Sequence, residues 1–194
     1  LYNKFFGETE RNLREALKLA ESMSPCIVWI DEIEKGVSQD SNDAGVSQRL
    51  LGTLLTWMAE HGQKVFVVAT ANNIHVLPPE LMRKGRLDEI FFVDLPSEEV
   101  REAILDIHLK KRGLSDDRFD LSLLAEMSDG FSGAELEQAV VSAWHSIRTD
   151  DETEGLGTEV LMTEIQRTQP LSVTMSERMD SLREWADGRA VNAD

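Results

Sequence analysis

Hydrophobic positions follow two different spacings in the first half of the chain. In residues 9–23, apolar side chains recur every three or four positions, which predicts an amphipathic helix. Short, wholly apolar runs occupy 26–30 and 65–69, with helical spacing over 50–58 between them. Such runs are typical of strands buried on both faces of a parallel sheet. A third run, 90–93, predicts another strand, so the first half predicts a layered α/β domain.

The pattern changes after residue 96, where the strand signal stops. Helical spacing continues to the end of the chain, and residues suited to helix capping precede three of the predicted helices: Ser97, Ser132 and Thr174. We therefore expect a large α/β part over 1–96 and an all-helical part over 97–194.

Composition and charge narrow the possible partners. The chain has 36 acidic and 20 basic residues, a net charge of −16. Binding to nucleic acid or to an anionic membrane through general electrostatics needs a basic surface, so we expect neither. The longest apolar run, 26–30, is too short to cross a bilayer. The single cysteine, Cys26, forms no internal disulfide, which favours a reducing compartment and a cytoplasmic location.

Polar residues follow two of the predicted strands. Asp31 and Glu32 come directly after the run 26–30, and Asn72 comes shortly after the run 65–69. Ligands of α/β sheets bind at the carboxyl ends of the strands. One carboxylate there can hold hydrated Mg²⁺, and its neighbour can orient or deprotonate a water molecule. From the residues alone, the alternatives are a strand that simply ends in polar residues and an asparagine that forms a turn.

A basic segment stands out on this acidic chain. Arg83, Lys84 and Arg86 place three cations within four residues. The planar, always-charged guanidinium group suits phosphate oxygens. The alternative is a surface turn whose cations pair with the nearby Asp88 and Glu89.

In their order along the chain, these segments resemble the AAA+ ATPases, specifically those of the membrane-protease, proteasomal and valosin type. Residues 3–10 resemble the central pore loop and the helix after it, and 26–32 resemble Walker B. Residues 65–72 resemble the strand that carries sensor 1, 77–88 resemble the second region of homology with its arginine fingers, and 130–136 resemble sensor 2. The resemblance implies a partial P-loop NTPase parallel sheet with helices, followed by an all-helical AAA+ lid with a C-terminal extension.

Three shorter stretches narrow the resemblance to a group of AAA proteins from cyanobacteria, plastids and other bacteria: Trp29–Gly36, Trp57-Met58 and Gln169–Ser172. The phosphate-binding motif G-x-x-x-x-G-K-[ST] does not occur in the 194 residues. By comparison with the family, we expect the chain to start after the P-loop and its helix, and therefore neither to bind ATP well nor to hydrolyse it alone.

The resemblance also implies residue roles around ATP and Mg²⁺. Asp31 would help to hold Mg²⁺ through water, Glu32 would polarise the attacking water, and Asn72 would position that water. Arg83 and Arg86 would act as arginine fingers on the nucleotide of a neighbouring subunit. Fingers that act in trans imply a ring, expected to be a homo-hexamer.

Two further sets of residues take their roles from the same resemblance. Gly133 and Ala134 would approach the adenosine, where a larger side chain would clash. Phe5, Phe6 and Gly7 would belong to a pore loop that grips a polypeptide.

The resemblance implies that the full-length protein couples ATP hydrolysis to the remodelling or unfolding of a protein substrate. One alternative is a nucleotide-dependent scaffold or regulator that changes shape without threading a substrate. Another is a metal-dependent hydrolase that uses Asp31, Glu32 and Glu34.

Overall fold

The computed structural model describes the following parts of the chain: residues 3–37, 44–60, 64–114, 116–147 and 157–193. It divides the chain into two compact units, Leu1–Ile90 and Phe91–Asp194. Each unit has a hydrophobic core of its own, so we describe each by itself.

The first unit combines helices with a short parallel sheet. Its described elements are α1 (Asn3–Ser22), β1 (Cys26–Ile30), α2 (Ile33–Val37), α3 (Ala44–Glu60), β2 (Val65–Ala69) and a 3₁₀ turn (Ile74–Val76). β1 and β2 pair in parallel from Cys26 opposite Val65 to Ile30 opposite Ala69. A parallel pair needs a long crossover connection, and α2 and α3 lie within it.

Helices pack on one face of this sheet. Leu17 of α1 and Leu54 of α3 are buried in the core that Ile30 and Val67 also contact. On the other face, the side chains of Ile27, Trp29 and Phe66 are 69%, 64% and 66% exposed. The prediction of strands buried on both faces is therefore wrong within the described residues, because the helices of this unit cover one face only.

The second unit is mostly helical. Its described elements are β3 (Phe91–Phe92), α4 (Glu98–Lys110), a 3₁₀ turn (Asp116–Arg118), α5 (Leu121–Met127), α6 (Gly133–Ile147), α7 (Thr158–Arg167), α8 (Leu171–Thr174), α9 (Ser176–Ala186) and β4 (Val191–Asn192). Its core joins α4, α5, α6 and α7 through fully buried side chains such as Leu105, Leu124, Leu136 and Leu161.

The third predicted strand does not extend the β1–β2 sheet in the part of the chain that is described. β3 pairs in parallel with β4, near the end of the chain. The expectation that 97–194 is entirely helical is therefore wrong at Val191–Asn192. These two residues are exposed and too few to give an alternating pattern. This pairing also puts β3 in the second unit, ahead of the boundary expected after residue 96.

Two of the three predicted helix caps are present. Val100 N–H donates to the Ser97 hydroxyl at 3.4 Å. Ser132 and Glu135 form a reciprocal capping box, with Ser132 N–H donating to the Glu135 carboxylate at 2.7 Å. The third prediction is wrong, because Thr174 ends α8 and its hydroxyl donates to Leu171 C=O instead.

The predicted fold class is confirmed. The first unit has a small parallel sheet with helices, and the second is mainly helical.

Candidate functional site

The register of β1 and β2 brings their carboxyl ends to the same edge of the sheet. Ile30 lies opposite Ala69, the last pair of the ladder. Beyond it, Thr70 N–H donates to Ile30 C=O, and Ile33 N–H donates to Thr70 C=O, both at 2.9 Å. These bonds hold the residues after β2 against those after β1. Asp31, Glu32 and Asn72 therefore emerge beside one another.

Asn72 contacts Glu32 directly across this edge. The Asn72 Nδ2 amide donates to Glu32 Oε1 at 2.9 Å. The other carboxylate oxygen, Oε2, accepts from Lys35 Nζ one helical turn later. The hydrogen bond to Glu32, and after it the negative charges of Glu32, Glu34 and Asp31, raise the pKa of Lys35. Both oxygens of Glu32 are thus held by neighbouring donors.

Asp31 is held by Thr70. The Thr70 hydroxyl donates to Asp31 Oδ1 at 2.6 Å. The second oxygen, Asp31 Oδ2, accepts no hydrogen bond from the described residues. Asp31 is exposed, so this oxygen is open to a ligand from solvent.

Glu34 lies behind the edge and is 8% exposed. Its Oε1 accepts from the Asn72 backbone N–H at 3.0 Å. Its Oε2 is buried and has no hydrogen-bond partner in the described part of the chain. The sequence indicates Glu34 only as a candidate metal ligand. It does not predict the hydrogen bond from the Asn72 backbone N–H to Glu34. Its position between the buried Ile33 and Val37 gives no pattern that would identify that contact.

The donor set fits hydrated Mg²⁺ and not a metal held by many protein ligands. Among the residues that the structure describes, no group of three or more His, Cys, Asp or Glu side chains is placed to hold a metal. Mg²⁺ keeps several waters and is bound by one or two carboxylates together with phosphates. Asp31 offers one such carboxylate, whereas each of the Glu32 and Glu34 carboxylates already has one oxygen bonded to Asn72. The metal-hydrolase alternative has no chelating cluster in this part of the chain.

The basic segment lies in the same unit. Arg83 is exposed, and Arg86 is half-buried with Nη1 donating to Glu80 C=O at 2.7 Å. Within the described ranges, neither arginine forms an ion pair with Asp88 or Glu89. The alternative, a surface turn in which these arginines pair with nearby acids, therefore lacks support from the structure.

The remaining predicted residues lie elsewhere. Gly133 and Ala134 begin α6 in the second unit, where Gly133 is half-buried and Ala134 is exposed. Phe5, Phe6 and Gly7 fall in the first turns of α1, which begins at Asn3 instead of residue 9. No proline interrupts 3–8, so nothing there prevents the helix from starting early. The side chains of Phe5 and Phe6 lie outside the described part of the structure.

Residues 1–95 match the model of the ATPase family associated with various cellular activities (AAA). Through these residues, the chain belongs to the AAA family. That family defines a class of ATP-hydrolysing proteins.

Similar relatives are called AAA domain-containing protein ycf46. The chain is 45% identical to the protein of Pyropia yezoensis over 197 residues, which cover 100% of the chain and 40% of that protein. It is 43% identical to the protein of Guillardia theta, over 98% of the chain and 38% of the relative. It is 42% identical to the protein of Gracilaria tenuistipitata var. liui, over 96% of the chain and 38% of that relative. The chain therefore spans about 40% of the length of these relatives.

Among the described residues, no helix has both the length and the apolar composition that crossing a membrane requires.

Proposed function

We propose that the full-length protein hydrolyses ATP and that the carboxyl edge of β1 and β2 activates the attacking water. The observation that carries this proposal is the 2.9 Å contact between the Asn72 amide and the Glu32 carboxylate, beside Asp31. A carboxylate held next to an amide can take up a proton from a water that the amide orients. Membership of the AAA family supports ATP as the substrate.

Each residue of the edge has a separate part in this proposal. When bound, MgATP supplies the γ-phosphoryl group as the electrophile. Asp31 would hold a water of the Mg²⁺ shell through its carboxylate. Glu32 accepts the proton of the attacking water once Lys35 or Asn72 releases one of its oxygens. General-base catalysis of this kind contributes about 10²–10⁴-fold in rate.

The test of this assignment is Glu32→Gln in the full-length protein. Glutamine keeps the shape of the side chain and loses the basic oxygen, so we expect steady-state ATP turnover to fall by about 10²-fold or more. Nucleotide binding, measured with a fluorescent ATP analogue, should stay within a few fold of wild type. Undiminished turnover in this variant would falsify the base assignment.

We also propose that the 194 residues do not turn over ATP by themselves. They carry no G-x-x-x-x-G-K-[ST] loop, whose backbone amides and lysine would hold the phosphates. ATPase assays of the isolated 194-residue chain should therefore give a rate near background. Turnover should require a longer form of the protein that contains a P-loop.

Arg83 and Arg86 are proposed to complete the site of an adjacent subunit. Two observations support this role for Arg83. Its side chain is exposed, and it forms no ion pair with the described residues. Arginine fingers stabilise the charge on the transferring phosphoryl group and contribute about 10³–10⁵-fold in other NTPases. The proposal requires a closed ring, and we expect a homo-hexamer.

The proposed biological activity is the remodelling or unfolding of a protein substrate. It rests on the resemblance of Phe5, Phe6 and Gly7 to a pore loop. Replacing Phe5 and Phe6 with alanine in the full-length protein should abolish the unfolding of a loosely folded reporter protein and leave ATP binding unchanged. A scaffold or regulator does not thread a polypeptide, so its nucleotide-dependent function would not need Phe5 and Phe6. If the protein's function survives this double substitution, that alternative is favoured.

A further inference from the structure

Thr70 occupies the position that joins the two strand ends, yet its residue type gives no sign of this in the sequence. It is the first residue after β2 and is half-buried. Its backbone continues the ladder on both sides, through N–H to Ile30 C=O and through C=O to Ile33 N–H. The hydroxyl lies between Asp31 and Glu32, where it forms a hydrogen bond with each of them.

The hydroxyl makes two contacts of different kinds. As a donor it bonds Asp31 Oδ1 at 2.6 Å, and as an acceptor it receives the Glu32 backbone N–H at 3.0 Å. A hydroxyl has one donor hydrogen and two acceptor lone pairs, so both contacts are compatible. One side chain therefore orients the carboxylate of Asp31 and the backbone of Glu32.

The contact to Glu32 matters because this residue has an unfavourable backbone conformation. Its φ is +49°, in the left-handed region that residues other than glycine rarely adopt. Such conformations persist only where surrounding contacts fix them. The Thr70 hydroxyl holds the Glu32 N–H, and Lys35 N–H donates to Glu32 C=O at 2.9 Å. These bonds hold the main chain of Glu32 from both sides.

We propose that Thr70 is a positioning residue for the catalytic edge. Its hydroxyl turns Asp31 so that Oδ2 stays open to the Mg²⁺ shell, and it holds Glu32 in the left-handed conformation that directs its carboxylate toward Asn72. This inference rests on the proposed ATPase function. It adds a residue that touches neither the nucleotide nor the attacking water.

The test compares Thr70→Val with Thr70→Ser in the full-length protein. Valine keeps the branched shape and removes the hydroxyl, whereas serine keeps the hydroxyl. Thr163→Val is the matched control, because Thr163 also uses its hydroxyl in a local hydrogen bond, to Glu159 C=O at 2.9 Å, but lies in the second unit.

We expect Thr70→Val to lower kcat between about 10- and 100-fold, since small displacements of a catalytic group have effects of this size. The Mg²⁺ concentration for half-maximal nucleotide binding should rise several-fold, measured by the fluorescence of a bound ATP analogue. Thr70→Ser and Thr163→Val should stay within about threefold of wild type in both measurements.

A third measurement needs no nucleotide. Hydrogen exchange of the Glu32 amide, resolved by mass spectrometry with fragmentation, should be about tenfold faster in Thr70→Val and unchanged in Thr70→Ser, because one hydrogen bond is lost. Unchanged exchange, or equal loss of kcat in the valine and serine variants, would overturn the positioning role. If wild type hydrolyses ATP and Glu32→Gln does not, either of these two results overturns only the positioning role of Thr70 and leaves the proposed ATPase function intact. If wild type shows no hydrolysis, the proposed function fails, and the positioning role fails with it.

Discussion

At the scale of single residues, the side chains after β1 are held by contacts from the residues after β2. Asp31, Glu32 and Asn72 were predicted as candidates because they follow apolar runs. The sequence does not predict the side-chain contacts of Thr70 and Glu34. The Thr70 hydroxyl makes two of the hydrogen bonds that hold the edge, and the Glu34 carboxylate makes one. A threonine after a strand and a glutamate in a short helix are common, so only the folded arrangement distinguishes them.

One ion pair of the second unit predicts a pH dependence of stability. Arg183 donates to both oxygens of Asp94, from Nε and Nη2, each at 2.8 Å. This hydrogen-bonded pair lowers the pKa of Asp94. A carboxyl group with a lowered pKa in the folded state stabilises the fold above its unfolded pKa of about 3.9, and this contribution disappears as the pH falls through the folded value.

We therefore expect Asp94→Asn to reduce the free energy of unfolding at pH 7 by at most about 1 kcal/mol, because both side chains are partly exposed. The difference from wild type should shrink as the pH falls through the lowered pKa of Asp94, because protonation removes the charge that Arg183 binds. Urea denaturation at pH 7 and near pH 2 measures this. Asp180→Asn is the control, since Asp180 is 72% exposed and lies 3.6 Å from Arg183. A difference for Asp94→Asn that is equal at both pH values would contradict the prediction.

At the scale of elements, the connection between α5 and α6 depends on a close approach to α8. Gly130 has a φ of +76°, and a Cβ built there would lie 2.2 Å from Ser172 Oγ. Two separate effects therefore favour glycine at this position, the left-handed backbone and the lack of space. Gly113 has a similar φ of +72° but no atom within 4 Å of a built Cβ, so it isolates the first effect.

Gly113→Ala should therefore lower the free energy of unfolding by about 1–2 kcal/mol through the backbone alone. Gly130→Ala should have a larger effect, by about another 1–3 kcal/mol, because side chains in a packed contact must shift. Adding Ser172→Gly to Gly130→Ala should recover most of the extra loss. Equal losses in the two single variants, measured by chemical denaturation, would show that the contact with Ser172 contributes nothing.

At the scale of the whole molecule, the proposed ring makes a prediction about mixed subunits. Glu32→Gln and Arg83→Ala should each have little ATPase activity as full-length proteins. In an equal mixture, an Arg83→Ala subunit keeps Glu32, and a Glu32→Gln neighbour supplies Arg83, so complete sites form between them. We expect the mixture to regain clear ATPase activity, measured after subunit exchange.

The control for this experiment is a mixture of Arg83→Ala with the double variant that carries both substitutions. No interface in that mixture contains both Glu32 and Arg83, so it should stay inactive. If subunits exchange in both mixtures and neither gains activity, the arginine does not act in trans.

The sequence by itself determined the local elements and the order of the motifs. Periodicity over a few residues predicts helices such as α4 and α6. Polar residues at the ends of apolar runs indicate Asp31, Glu32 and Asn72 as candidate site residues. These features depend on neighbours in the chain, and residue type alone carries them. The order of these motifs also indicates an AAA+ ATPase.

The tertiary structure decided which distant residues meet. The register of β1 and β2 joins Asn72 to Glu32 and Thr70 to Asp31. The pairing of β3 with β4 joins residues that are about a hundred positions apart. Such contacts depend on how strands and helices pack, and one residue of slip in a strand would turn every side chain to the other face. No local pattern contains that information, so the contacts of Thr70 and Glu34 at the edge, and the pairing of β3 with β4, appear only in the folded chain.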